Sequence, residues 1–306
     1  MSFTKFQPAP WATRLRAIIG GTGRGWLALG LTCLALALSG CSAARLGYSA
    51  APELMYLWLD SYLDFDNAQA RRVKTELKTM HRWHRSEEMP LLADLLQEAQ
   101  TLALQNPDGP RFCTLYSSVL QRSEALTQRA LAIAVAVVPS LKPEQLAALA
   151  KAYDKSNRKM REEWQDARVQ GLELRTRKSL ERMEDLYGKL STEQSRVFKD
   201  AMAQTGFDEK RYFEEVQARQ QAILQTLERL RGADASTARS ALADLAQRFY
   251  QSSNPVYRQY HEQMTAQTCQ AFARLHAQTG AEQRNHMVRI LKGYESDVRT
   301  LAAQKD

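Results

Sequence analysis

Two clusters in the sequence hold side chains that could do chemistry. His81 and His84, in the stretch HRWHR, stand three residues apart and share a face if the segment is helical, and Glu87 and Glu88 follow closely. Two imidazoles and a carboxylate are the beginnings of a metal site, since a catalytic zinc takes three protein ligands and keeps one position open. The segment has no HExxH pattern or other ligand set of recognised spacing. Its expected role is therefore packing, with Trp83 turned inward and the histidines at its flanks near Pro90. Asp60, Asp64 and Asp66 form the second cluster, beside Trp58 and Tyr62. Paired carboxylates perform glycoside hydrolysis when a cleft holds them at the right separation. Helical spacing builds no cleft, and Asp66 has a simpler use as a helix cap. After residue 40 the chain contains no Gly-rich phosphate loop and no G-x-S-x-G nucleophile elbow. No catalytic residue, metal or cofactor is expected.

The amino-terminal stretch carries a different chemistry. Lys5, Arg14, Arg16 and Arg24 make a positive leader without an acidic residue, and Trp26 to Leu38 form a 13-residue apolar run. That is the layout of a secretory signal peptide, and it falls short of the roughly 20 residues a membrane-spanning helix requires. The run ends in Leu38-Ser39-Gly40-Cys41, which resembles the lipobox of bacterial lipoproteins. In that family the cysteine thiol receives a diacylglycerol and the peptide before it is removed. The resemblance implies acylation at Cys41 and a signal peptidase reading Leu38, Ser39 and Gly40. Because Ser42 rather than aspartate follows Cys41, it also implies the outer membrane of a Gram-negative cell, facing the periplasm. The expected divisions are a signal peptide at 1–40, an anchored segment with a short first helix at 41–65, and one helical domain at 66–306.

Loss of the leader would remove four of 42 basic residues and none of 34 acidic ones, so the net charge would fall from +8 to +4 (38 − 34). Neither that balance nor any basic stripe interleaved with aromatics supports nucleic-acid binding. Cys33 would leave with the leader and Cys41 would carry lipid, so Cys113 and Cys269 remain in an oxidising compartment and are expected to form a disulfide. Neither has a CxxC neighbour that would suggest zinc. In the chain-entropy model a bridge over so long a loop is worth about 5 kcal/mol.

These residues must be positioned by helices, because almost nothing after residue 41 reads as a strand. Leu146, Leu149, Ala150 and Tyr153 recur at helical spacing, as do Leu180, Met183, Leu186 and Tyr187. Pro90, the turn at 106–110, Pro139, Pro143, Gly206, Gly232, Asn254-Pro255 and Gly280 punctuate the chain. One long helix, or two with a bend near Gly171, is expected near 143–187, and the fold class is an all-α, elongated multi-helix bundle. The charge runs RSEEMP and KRYFEEV read as solvated helix faces. Ala51 to Leu63, rich in Leu, Tyr and Trp, is expected to pack as a first helix, with rest at a membrane interface as the alternative.

A short pattern also repeats. FDNAQ at 65–69, LKPEQ at 141–145 and LSTEQ at 190–194 each place an apolar residue, a helix-start residue and a glutamine; TGAEQ at 279–283 is a degraded copy. Asp66 or Ser191 would cap the first turn while Gln69 or Gln194 reaches back. Gln145 would follow Pro143 at the first helical position. The copies ending in Gln145 and Gln194 resemble the LTxxQ motif of the Spy/CpxP group, helical periplasmic proteins of which some are ATP-independent chaperones. The whole arrangement, lipobox, LWLDSYLDFDNAQ, WHRSEEMP and EQRNHMVRILKGYESDVRTLA, resembles an uncharacterised family of helical Gram-negative lipoproteins. Together these readings imply a non-catalytic envelope lipoprotein held in a bilayer through Cys41, binding envelope proteins or polymers in a chaperone-like way. The alternatives are an envelope enzyme acting on peptidoglycan or needing a metal, and a structural accessory of a membrane assembly.

Overall fold

The computed structural model describes residues 46–304 except 166–170. Cys41 and its neighbours Leu38, Ser39 and Gly40 lie outside the described residues. Gly47–Asp306 form one compact unit. From Ala51 onward it consists of eleven α-helices, without a strand among the described residues. They are α1 (Ala51–Leu63), α2 (Asn67–Trp83), α3 (Met89–Ala103), α4 (Gly109–Val137), α5 (Pro143–Gln165), α6 (Gly171–Tyr187), α7 (Thr192–Ala203), α8 (Glu209–Arg229), α9 (Ala235–Tyr250), α10 (Pro255–Ala277) and α11 (Ala281–Ala303).

Helix ends follow local chemistry. Asp66, Asp108, Ser191, Asp208, Asp234 and Asn254 each accept from first-turn backbone N–H groups as N-caps. Gly188 and Gly206 leave α6 and α7 at φ of 76° and 65°, a region that side chains with a Cβ seldom enter. The break expected at Pro90 is absent. Instead α2 continues through a π-helical turn, His84–Glu88, directly into α3. The Met89 N–H donates to the His84 carbonyl five residues back, and the widened turn admits Pro90 in the first turn of α3. The run expected to form one long helix holds α5 and α6; the place of the expected bend, 166–170, lies outside the described residues.

Two apolar clusters form the core. Val73 and Leu77 of α2, Leu146 and Leu149 of α5, Leu227 and Leu230 at the end of α8 and Leu242 of α9 meet in the first, and α1 covers it with Tyr56, Leu59, Tyr62 and Leu63. Tyr187, Leu190, Phe198, Met202, Ala271 and Leu275 make the second, with Leu180, Met183, Phe272 and Met287 at its border. The two halves of 143–187 thus serve different clusters. The α4 helix packs on α2, α9 and α10, α10 also packs on α7, and α3 lies along α11. Cys113 of α4 and Cys269 of α10 are joined, with Cα atoms 5.5 Å apart.

The four glutamine repeats meet in pairs. The Gln69 amide donates to Gln145 Oε1 at 3.2 Å, and the Gln145 amide donates back to Gln69 Oε1 at 2.8 Å. Each Oε1 also accepts the N–H at its own helix start, Asp66 at 3.1 Å and Lys142 at 2.9 Å. Each amide's second hydrogen crosses to the partner's loop, Gln69 to the Ser140 carbonyl at 2.8 Å and Gln145 to the Leu63 carbonyl at 2.7 Å. Gln194 and Gln283 repeat the arrangement, with mutual bonds of 2.7 and 3.0 Å. Their outward bonds run to the Gln278 and Lys189 carbonyls at 2.8 and 3.2 Å. Gly280 has no side chain to return the cap, yet its N–H still donates to Gln283 Oε1 at 3.3 Å.

Replacing Gln145 with Leu removes both mutual bonds of the buried Gln69 amide and leaves the Lys142 N–H and the Leu63 carbonyl without their side-chain partner. Unfolding in denaturant is expected to show a loss of about 2–4 kcal/mol, on the scale for orphaned buried polar groups. The double variant Gln69→Leu with Gln145→Leu should lose less than the sum of the singles; additive losses would mean the pair is not coupled. Cys269→Ser should lower stability by about 2–5 kcal/mol at neutral pH, and an unchanged melt would show that the link contributes nothing.

Candidate functional site

His81 and His84 do share a face, and what they hold is Tyr48. His81 Nε2 donates to the Tyr48 carbonyl at 3.0 Å; a carbonyl only accepts, so this nitrogen carries the proton. His84 Nδ1 lies 3.0 Å from the Tyr48 hydroxyl, and the tyrosine ring rests on both imidazoles with centroids 4.4 and 5.7 Å away. Burial pushes both imidazoles below their ordinary value of 6.5. Trp83, half-buried, lies under the Arg129 guanidinium. Among the described residues no group of three or more His, Cys, Asp or Glu side chains is placed to hold a metal ion.

The aspartates of the second cluster serve the backbone. Asp60 Oδ1 accepts from the Phe65 N–H at 2.9 Å, and Asp64 sits in the left-handed turn that ends α1. Asp66 Oδ1 accepts from the Ala68 and Gln69 N–H groups at 3.0 Å, while Lys142 Nζ lies 3.1 Å from Oδ2. Those bonds, the Gln69 N–H foremost, hold the Asp66 carboxyl below its usual range. RSEEMP departs from the solvated face expected of it: Glu88 and Met89 are buried, where α11 packs on the π turn and Arg122 of α4 reaches Glu88. Glu88 Oε2 has no hydrogen-bond partner, and the Arg122 guanidinium stands 3.7 Å from it.

A cluster that sequence spacing did not single out lies where α5, α6, α8 and α10 come together. Arg175 of α6 is its centre. Its guanidinium donates to Thr268 Oγ1 at 3.2 Å and to Met264 Sδ at 3.4 Å, both on α10, and stands over the Phe207 ring at 5.0 Å. Burial depresses its pKa; the neighbouring phenols of Tyr260, Tyr116 and Tyr212 act the other way. No carboxylate pairs with it among the described residues. Phe207 packs with Trp164 and Tyr212 at 6.3 and 5.9 Å, and Arg211 lies 5.2 Å over Tyr260. The KRYFEEV run is therefore only partly a solvated face: Lys210 and Glu214 form an i, i+4 pair at 3.9 Å, while Tyr212 and Phe213 turn toward the cluster.

Tyr116 of α4 stands near Arg175. Tyr116, Val119 and Leu120 lie exposed one turn apart on α4. The disulfide fixes this surface, because Cys113 is one turn before Tyr116 and Cys269 follows Thr268. A guanidinium with no carboxylate partner among the described residues, framed by aromatic rings, offers a fork of donors to an anion and π faces to planar groups. This is the chemistry of binding. Its only sequence signal was the interleaving of Arg with aromatics at 207–213; its other members come from segments too distant for any local period. A separate open groove of about 600 Å³ runs along α11 between Lys292 and Gln304, lined by that helix alone.

The model of a family described as a family of unknown function, DUF6279, matches residues 61–258. That span includes Gln69, Gln145, Gln194, Cys113 and Arg175, and it ends before Cys269 and Gln283. No curated protein and no solved structure matches the chain.

His81, His84, His261 and His276 all have folded-state values below 6.5, with burial as the first cause. At His276 the Gln105 carbonyl, 2.8 Å from Nε2, favours the charged form and burial outweighs it, while the Tyr187 hydroxyl stands 2.7 Å from Nδ1. The unfolded chain takes up protons near 6.5 and the folded chain resists, so the stability linked to these groups is complete above 6.5 and falls below it. Melting temperature should therefore decline as pH drops from 7.5 to 5.5. A flat profile across that window would count against these burials.

Proposed function

The chain belongs to the DUF6279 family, whose function is unknown, and from its own surfaces we propose that it is a lipid-anchored envelope protein that binds other proteins or envelope polymers without catalysing a reaction. The Arg175 cluster carries this reading. It joins a guanidinium with no carboxylate partner among the described residues, aromatic rings and the exposed Tyr116, Val119 and Leu120, a combination suited to apolar segments that carry an anionic or planar group. A chaperone-like role is the most concrete form. The lipobox at Cys41 and the signal-peptide layout support attachment to the outer membrane, with the helical unit in the periplasm. Attachment there would hold the binding face among envelope partners without any spanning helix.

In vivo photo-cross-linking from position 116, with position 294 on α11 as an exposed control, tests this. Captured proteins identified by mass spectrometry should be enriched at 116. A broad set of unfolded envelope proteins supports the chaperone form, and a few stoichiometric partners support an assembly accessory. Equal or empty capture at both positions would remove the face from consideration. Arg175→Met should lower capture about tenfold, the scale of one lost charge-assisted interaction.

A further inference from the structure

We infer that the outer face of α1 lies on the bilayer, with Leu54, Leu57 and Trp58 at the headgroup boundary; this rests on the tether at Cys41 proposed above. The α1 helix is apolar on two sides. Tyr56, Leu59 and Leu63 share the side packed on the first core cluster. Leu54, Leu57, Trp58 and Ser61 follow one another at i, i+3, i+4 and i+7 on the opposite side. Leu54 is 45 % exposed, Leu57 55 % and Trp58 59 %, with Met55 at the border of the stripe at 40 %. Single exposed apolar residues are ordinary, whereas a contiguous stripe marks an interaction surface.

Three observations point to lipid as the occupant. Cys41 precedes Tyr48 by seven residues, and seven extended residues reach at most about 25 Å. Tyr48 is itself gripped by His81 and His84, so the slack between acyl chains and helical unit ends immediately before α1. The stripe carries the side chains that favour a membrane boundary: Trp58 packs edge-on against Tyr62 at 5.1 Å, each ring apolar in body and polar at one atom. Of the acidic neighbours, Glu53 pairs with Lys74 at 3.1 Å, Asp60 takes the Phe65 N–H, and the exposed Asp64 sits in the turn after α1. None stands within the stripe to oppose lipid headgroups. One lipid attachment site next to one apolar helix face is the two-signal arrangement that makes membrane binding stable. No described helix is long and apolar enough to cross a membrane, so α1 would lie along the surface.

The experiment uses the full chain expressed in Gram-negative cells, with the mass of the Cys41 peptide recorded. The purified protein is placed in vesicles of phosphatidylethanolamine and phosphatidylglycerol, with and without brominated acyl chains. The difference between this chain and Trp58→Phe isolates the Trp58 emission, and the substitution is at an exposed position that leaves the fold intact. The expected result is a lipid mass on Cys41, Trp58 emission at shorter wavelength, quenching by bromine, and severalfold protection from acrylamide. Leu57→Glu should abolish most of the quenching without changing the melt. A peptide without lipid overturns the tether reading and this inference with it. Lipid on Cys41 with Trp58 unquenched and open to acrylamide overturns this inference alone. Trp58 shielded from acrylamide but unquenched by bromine also overturns it, by showing a protein on the stripe.

Discussion

A glutamine amide buried in an apolar bundle has two hydrogens and two lone pairs to satisfy, and any left over costs as much as a lost hydrogen bond. Gln69 with Gln145 meets that constraint completely, each oxygen taking its own helix start and the partner amide, each nitrogen reaching the partner's loop. The geometry leaves little freedom. The start of α2 must face the start of α5, and Leu63 and Ser140 must arrive at fixed points, which sets where α1 ends and where α4 turns back. Gln194 with Gln283 does the same for α7 and α11. Each pair lies beside one of the two apolar clusters, so burial supplies the attraction and the amides supply the register.

Within that frame the disulfide acts on a different axis. It joins the first turns of α4 to α10 across 156 residues, and thereby holds Tyr116 beside Thr268 and the guanidinium that Thr268 receives. Among the described residues no carboxylate pairs with this half-buried cation, and Phe207, Met264 and Thr268 surround it with a ring, a sulfur and a hydroxyl.

The π turn links α2 to α3 beside the segment that leads into α1. It lets α2 run into α3 despite Pro90, while His81 and His84, one helical turn apart at the end of α2, both hold Tyr48. The segment entering α1 is fixed by this grip before the helix begins. As α1 uses one face on the core, its apolar remainder has only one direction left, outward.

Local chemistry determined much from the sequence alone. Caps at Asp66 and Ser191, prolines at helix starts and glycines after α6 and α7 all act through neighbours within one turn, and helical periodicity over 10 or more residues is set by the same short range. All-α architecture and most helix limits were therefore legible. So was the reach-back of each repeat's glutamine, because a capping box is complete within four residues. Only the tertiary structure decided that the repeats pair, that Glu88 is covered, that Pro90 sits behind a π turn, and that Arg175 meets Phe207, Met264 and Thr268. Each of these depends on which apolar faces bury each other. Such a choice is a sum over many weak, non-directional contacts between residues far apart in the chain, and no local spacing encodes it.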